Sequence, residues 1–431
     1  MNILEIIEKK KNKEALSQKE IEFFVDGYTK NKIPDYQMSA LLMTIVINGM
    51  NDVETAYLTE AMMNSGKKIN LSSIKGIKVD KHSTGGVGDK VSLVLGPIVA
   101  ACGAVFAKMS GRGLGYTGGT IDKLESIEGF NCFLNEQQFK FLLKKSNIAI
   151  IGQTDNLVPA DKKIYALRDV SGTVNSLPLI TSSIMSKKLS TGSDAILLDV
   201  KCGSGAFMKN INEAKQLARW MINIGKKLKK DVRAEITNME QPLGRMIGNK
   251  NEIIEVIESL KGNGDKKFME LIYSSATTLL IQAKIVKNEK EACKLIEEVI
   301  KSGKAFNKFL ELIENQGGNI ELIQKTNWWK PKYKLEINAT KSGYLYLKNS
   351  VILGLVAVKL GAGRNKKEDI IDNEAGIELK KVTNEKVQKN EILMVLYSSK
   401  PIDKNLSNEV KKTFEINQKP KNNKIILAKM E

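Results

Sequence analysis

The chain has a single histidine, His82, at the head of a glycine-rich stretch that reads Lys81-His82-Ser83-Thr84-Gly85-Gly86-Val87-Gly88-Asp89-Lys90. An apolar run precedes this stretch and a longer one begins at Val91. Strand, glycine turn and helix in that order offer bare backbone N–H groups to an anion, and glycine keeps Cβ atoms out of its path. The spacing fits neither the Walker A pattern nor GxGxxG, so phosphate binding and a plain structural turn both stay open. A second segment, Lys108-Met109-Ser110-Gly111-Arg112-Gly113-Leu114-Gly115-Tyr116-Thr117-Gly118-Gly119-Thr120, packs five glycines among hydroxyls and two cations. Apolar segments flank it on both sides, which argues against a loose loop. Tyr165, Arg168, Ser183 and Lys187 form a third group. Ser183 and Lys187 are four apart and share a face if that segment is helical; the face is either solvated or part of a site.

These residues need elements to hold them. The first 65 residues read as short helices. Ser17 and Glu20 have capping-box spacing, Pro34 and Asp35 start a second helix that carries Met38, Leu41, Leu42 and Ile45 on one face, and a third runs through Ala56, Leu58, Ala61 and Met62. Short apolar runs then alternate with helical stretches, at 77–79, 105–107, 148–151, 195–200 and 232–236. This predicts an α/β fold. The helical stretch at 162–190 is expected to join the N-terminal helices in space. Past residue 335 the texture turns strand-rich, with runs at 343–347, 391–397 and 425–428.

At 431 residues, two or three domains are expected. No run of about 18 apolar residues occurs, so no membrane partner is expected. The N-terminus lacks the basic start and unbroken apolar run of a secretory signal, so a cytoplasmic protein is expected. Cys102, Cys132, Cys202 and Cys293 form no CxxC pair and have no nearby histidine in sequence, so reduced thiols are expected rather than disulfides or zinc. The formal charge of +18 raises nucleic-acid binding as a rival. The lysines are spread along the whole chain with no aromatic-interleaved basic block, so attraction of anionic substrates is the better reading.

The segment Ser110-Gly111-Arg112-Gly113-Leu114-x-x-Thr117-x-Gly119-Thr120-x-Asp122-x-Leu124-Glu125 resembles the signature of the thymidine and pyrimidine-nucleoside phosphorylases. KHSTGGVGDK at 81–90, PADKKIYALRDV at 159–170, SSIMSKKL at 182–189 and DVKCGSGAFMK at 199–209 resemble that family in the same order. GAGR at 361–364, IDNEAGI at 371–377 and KVQKNEIL at 386–393 are similar to its last domain. Lys108-Met109 and Thr173-Val174-Asn175-Ser176 look more like the broad-specificity type.

The resemblance implies a small all-α domain (1–66 and 162–192) that carries the pyrimidine side and a homodimer interface. It also implies an α/β phosphate domain with a central mixed sheet (70–158 and 193–333) and a C-terminal α+β domain (336–431). Inorganic phosphate is expected on Lys81, Ser83, Ser92, Lys108, Ser110 and Thr120. The pyrimidine nucleoside is expected on Arg168, Ser183 and Lys187, with Leu114, Tyr165 and Phe207 as walls. His82, Arg168 and Lys187 would be catalytic, His82 as proton or hydrogen-bond donor to the base because an ordinary imidazole titrates near neutrality. With the two sides on different domains, binding would need closure about linkers near 66–80 and 155–195. No organic cofactor is implied. Some members hold a potassium ion at positions matching Gly88, Lys90, Leu243, Met246 and Glu255; Lys90 stands where a hydroxyl is usual, so an ion and the lysine ammonium in its place are both open. Two further departures are Tyr116 in place of a usual histidine and Asn384 and Asn390 in place of usual glycines. A strict thymidine phosphorylase and an enzyme like anthranilate phosphoribosyltransferase remain the rival readings, with a non-catalytic nucleic-acid binder more remote.

Overall fold

The computed structural model describes residues 1–431 except Leu114, Thr117, Asp155, Asn365, Lys367 and Glu368. Four helices open the chain: Ile3–Lys11, Gln18–Thr29, Asp35–Asn48 and Asp52–Asn64. Ser17 and Glu20 close the expected capping box, with Ser17 N donating to Glu20 Oε2 at 2.7 Å and Glu20 N to Ser17 Oγ at 3.4 Å. The third helix stops at Gly49, whose φ of +73° lies in the region glycine enters without strain. Helices Pro159–Val170 and Leu177–Ser190 return to this bundle, and Ala160, Ile164 and Leu179 share one apolar core with Phe24, Leu41 and Leu58.

The central sheet holds β1 (Lys78–Ser83), β2 (Val105–Ser110), β3 (Ile148–Gly152), β4 (Ala195–Cys202) and β5 (Asp231–Asn238), all parallel, in the order β5-β4-β1-β2-β3. The chain winds outward from β1 to β3 on one side and continues through β4 on the other. The reversal therefore falls beside β1, and a crevice outside the carboxyl ends of the strands is expected there. The Val91–Ala101 helix is apolar apart from Ser92, with Val91, Leu93, Val94, Leu95 and Ile98 fully buried. A Cβ at Gly96 would stand 2.8 Å from the Phe106 ring, so only glycine lets this helix sit so close to β2. This packing anchors the glycine turn that leads into the helix.

The rest of the strands are β6 (Met246–Gly248), β7 (Tyr333–Asn338), β8 (Gly343–Leu347), β9 (Gly376–Leu379), β10 (Lys386–Val387), β11 (Ile392–Ser398), β12 (Phe414–Asn417) and β13 (Ile426–Met430). They form a β10-β8-β12 sheet and a β6-β9-β11-β7 sheet, with helix Ser350–Leu360 packed alongside. Two features depart from the sequence reading. The last strand does not stay with its strand-rich neighbours: β13 runs antiparallel on β5, at the edge of the central sheet. Doing so pairs the open edge of β5 and packs Leu427, Ala428 and Met430 against the core that holds Ile236 and Leu217. It is also what makes the sheet mixed. β7 escaped notice because Lys334 and Glu336 alternate on an exposed edge, and β6, β9 and β12 are too short to show a period. Asn384 and Asn390 take φ of +74° and +70°, so asparagine supports the left-handed turns where glycine is usual. Among the described residues, no helix is long and apolar enough to cross a membrane.

Candidate active site

A cavity of about 350 Å³ opens outside the carboxyl ends of β1 and β2, facing helices Pro159–Val170 and Leu177–Ser190. His82, Ser83, Ser92, Lys108, Ser110 and Thr120 line its sheet side, and Tyr165, Arg168, Ser183 and Lys187 its helical side. Phe207 stands on the wall 40% exposed. Leu114 lies outside the described residues. Segments more than a hundred residues apart, from His82 to Phe207, thus meet at one opening.

Lys81 is the exception. It does not reach the wall. It is fully buried, with Nζ 2.6 Å from Asp199 Oδ2 and 3.9 Å from Asp89 Oδ1. Neighbouring strand residues point to opposite faces, so Lys81 and His82 diverge. Burial alone would lower the Lys81 pKa, but Asp199 and Asp89 outweigh it and the net shift is upward. Lys201 joins the layer at 2.6 Å from Asp199, and Lys201 and Lys81 together hold the buried Asp89 carboxyl far below its usual range against the opposing effect of burial. Asp89 itself lines the cavity and accepts a hydrogen bond from the Ser83 hydroxyl. Ser83 has one proton, so donating it to an anion requires the hydroxyl to turn.

Lys108 lines the sheet side of the cavity, at the end of β2. Its Nζ donates to Lys81 O at 2.7 Å and lies 3.8 Å from Asp80. Burial first, then the Lys188 ammonium, push its pKa down to about 7. An anion bound beside it restores the charged form. At pH 8 the empty site is mostly deprotonated at Lys108 and the occupied one is protonated, so sulfate binding is expected to take up close to one proton and to weaken as pH rises through 7. Calorimetry in buffers of different ionisation enthalpy reads the uptake directly. Sulfate does not itself titrate there, and Lys108→Met should abolish the effect.

On the helical side, Arg168 is 1% exposed and donates from Nε to Thr173 O at 3.1 Å, from Nη1 to Leu179 O at 3.1 Å and from Nη2 to Val174 O at 2.6 Å. A guanidinium has five N–H donors, so two remain for a ligand carbonyl. Lys187 Nζ donates to Asp161 Oδ2 at 2.6 Å and Ser183 Oγ at 3.0 Å, which leaves one ammonium hydrogen and the Ser183 proton free. The Tyr165 ring lies under both cations, 5.6 Å from Arg168 and 5.8 Å from Lys187.

His82 departs from the expectation of a group poised near neutrality. Burial first, then the Lys188, Lys108, Lys187 and Lys81 ammoniums, hold its pKa well below the ordinary imidazole value. The imidazole of the empty site is neutral at physiological pH and offers an N–H, not an imidazolium. Sequence reading also missed Lys188, which lines the cavity and donates from Nζ to Asp80 Oδ2 and to Met109 O, both at 2.7 Å. It pins the helical side to β1 and β2. Its only sequence signal was the doubled lysine at 187–188. Thr84, Asp89 and Gln153 also line the wall; the first two sit inside the glycine motif and were legible there.

The five positions matched to a potassium site do come together, but not as an open cage. Lys90 is 1% exposed; its Nζ lies 2.7 Å from both Leu243 O and Glu255 Oε2, with the Phe268 ring centre at 5.2 Å. Glu255 is further satisfied by the N–H groups of Arg245 and Met246 at 2.6 and 2.9 Å. Gly88 is held so close that a Cβ would stand 2.7 Å from Leu243 O. An ammonium already sits on the oxygens a potassium ion would need, so these residues do not fit the ion.

Comparison with known proteins agrees with this architecture. The helical bundle domain of a glycosyl transferase family matches residues 4–66, its a/b domain residues 75–306, and the pyrimidine nucleoside phosphorylase C-terminal domain residues 344–417. The pyrimidine-nucleoside phosphorylase of Staphylococcus epidermidis (strain ATCC 12228) is 51% identical over 405 residues, 94% of each chain. That of Staphylococcus haemolyticus is 49% identical over 416 residues, 96% of this chain and 95% of its own. Anthranilate phosphoribosyltransferase from Thermus thermophilus shares the fold at a TM-score of 0.59 and 17% identity, covering 72% of this chain and 98% of that one. With half its residues shared across nearly its whole length, this chain belongs to the pyrimidine-nucleoside phosphorylase family of pentosyltransferases.

Proposed function

We propose that the protein catalyses the reversible phosphorolysis of thymidine, deoxyuridine and uridine to the free pyrimidine and (deoxy)ribose 1-phosphate. One observation carries this reading: hydroxyls and Lys108 on the glycine turns face Arg168, Ser183 and Lys187 across a single cavity. A phosphate oxygen attacks C1′ of the sugar while the C1′–N1 bond breaks and its electron pair passes to the pyrimidine. The transition state holds one anion entering and a second developing on the base oxygens. Catalysis therefore requires donors aimed at both. Ser110, Thr120, Ser92 and Lys108 would meet the first. Arg168 and Lys187 would meet the second, with Ser183 to orient the ring and the neutral His82 N–H as a further donor to the base. The hydrogens left over on each of these groups are those a nucleoside would use.

Phosphate-dependent release of thymine and uracil from the three nucleosides, measured side by side, tests the proposal. Release from thymidine alone selects the strict thymidine enzyme. No release from any, with turnover of phosphoribosyl diphosphate instead, overturns the reading. Salt-sensitive binding to nucleic acid without any release would favour the non-catalytic rival.

Lys90 leads to a further expectation: kcat should change by less than about twofold when potassium is exchanged for tetramethylammonium, because the ammonium is part of the chain. A loss of turnover in the organic cation would restore an ion to this site.

The homodimer and the cytoplasm belong to the same proposal. The Asp35–Asn48 helix buries Met38, Leu41, Leu42 and Ile45, and leaves Tyr36 and Ile47 more than 70% exposed with Met43 beside them. Such an apolar stripe suits a second copy. Sedimentation of Ile47→Glu against the unaltered protein tests it; equal masses would remove this surface as the interface. Free Cys102, Cys132, Cys202 and Cys293 suit a reducing compartment.

A further inference from the structure

The second glycine turn is held from outside the central sheet. Asp122, 5% exposed, accepts the Gly113 N–H on Oδ2 at 2.6 Å. Its Oδ1 accepts from Arg112 Nη1 at 3.2 Å and from Arg364 Nη1 at 2.9 Å. Arg112 is the looser of the two cations: its side chain is 42% exposed and it shares its guanidinium with Glu125. Arg364 is 25% exposed and comes from the C-terminal region, just after helix Ser350–Leu360.

That helix also lies against both glycine turns. A Cβ on Gly354 would stand 2.5 Å from Tyr116 O, in the second turn, and 3.1 Å from Val87 Cγ2, in the first. At the start of the same helix, Ser350 Oγ donates to Met239 O at 2.6 Å and sits where a Cβ on Gly205, two residues from Phe207, would have to go. One C-terminal element thus touches the first turn, the second turn and the loop that carries Phe207. Its exit supplies the guanidinium on Asp122.

We infer that Arg364 is a positioning residue for the phosphate side of the site. It fixes the Asp122 carboxylate, Asp122 fixes the Gly113 amide, and the turn that bears Ser110 and Thr120 keeps its shape because the C-terminal region clamps it. Arg364 does not line the cavity, so it acts through the turn and not on substrate. The inference rests on the phosphate site proposed above. It gives the C-terminal region a part in phosphorolysis, as the wall against which the anion turn is built.

The test compares Arg364→Met, Arg364→Lys and the unaltered protein by phosphate KM, nucleoside KM and calorimetric sulfate binding. Loss of one charge-assisted hydrogen bond from the clamp is expected to raise phosphate KM and sulfate Kd about tenfold. Nucleoside KM should stay within about twofold, and lysine should recover part of the loss. Phosphate KM and sulfate Kd unchanged in a folded Arg364→Met protein would overturn the inference, as would equal effects on both substrates, which mark a general loss of structure. Should Arg364→Met fail to fold, Gly354→Ala serves, because its methyl group presses on Tyr116 O. Weakened sulfate binding with nucleoside KM kept supports the clamp, and unchanged sulfate binding removes it. If the unaltered protein binds no sulfate in competition with phosphate, the phosphate site itself is wrong, and that result is separable from a failure of the clamp alone.

Discussion

Lys187→Met should lower kcat by about 10²–10³-fold at saturating phosphate and nucleoside, the scale for removing one donor aimed at developing charge. The geometry also warns of a second effect. Lys187 is the partner of Asp161, whose side chain is only 3% exposed, and methionine would leave that carboxylate uncompensated. Breaking a fully buried pair costs about 3–5 kcal/mol. Lys187 is a quarter exposed, so about 1–3 kcal/mol is the better expectation here, after discounting for solvent screening. The two effects separate in the double variant Asp161→Asn/Lys187→Met. Removing the orphan carboxylate should return most of the melting temperature and none of the turnover. If kcat returns along with stability, Lys187 serves only to neutralise Asp161 and its assignment to the leaving base fails.

His82→Ala should lower kcat by about 10²-fold or more, and His82→Gln should recover part of that loss. Glutamine keeps an N–H donor but cannot carry a transferable proton near neutrality. The expectation follows from the four lysines around the ring. A group whose pKa is depressed well below 6.5 is neutral at and above that pH, so kcat at saturating substrates should show no inflection near 6.5 that belongs to this residue. The opposite pattern, turnover rising as pH falls through 6.5 and flat in the glutamine variant, would make the imidazolium the working acid. It would also mean that bound phosphate reverses the field of the lysines.

Much of the arrangement is legible in the amino-acid sequence alone. The helices, the five parallel strands and both glycine turns each announce themselves within a dozen residues, through apolar period, capping residues and glycine spacing. The resemblance implied His82 and Ser110 on one side of a cleft and Arg168 and Lys187 on the other, and all four line one cavity. Less legible were the short strands β6, β9 and β12, which have too few residues for a period, and Lys188, which reads the same as Lys187 in a doubled pair. A five-residue separation from Ser183 turns it off that residue's face and onto Asp80 instead.

By itself the sequence determined the local chemistry: which segments bend around glycine, which bury an apolar face, and which polar groups stand at their ends. Only the tertiary structure decided which polar neighbours those groups meet. It sank Lys81 beneath the wall onto Asp199, made His82 neutral, put the Lys90 ammonium on Leu243 and Glu255, sent the last strand to the edge of the central sheet, and brought Arg364 onto Asp122. Each of these outcomes depends on burial or on a charge more than a hundred residues away along the chain or on the opposite face of a strand, and neither is written in the spacing of nearby residues.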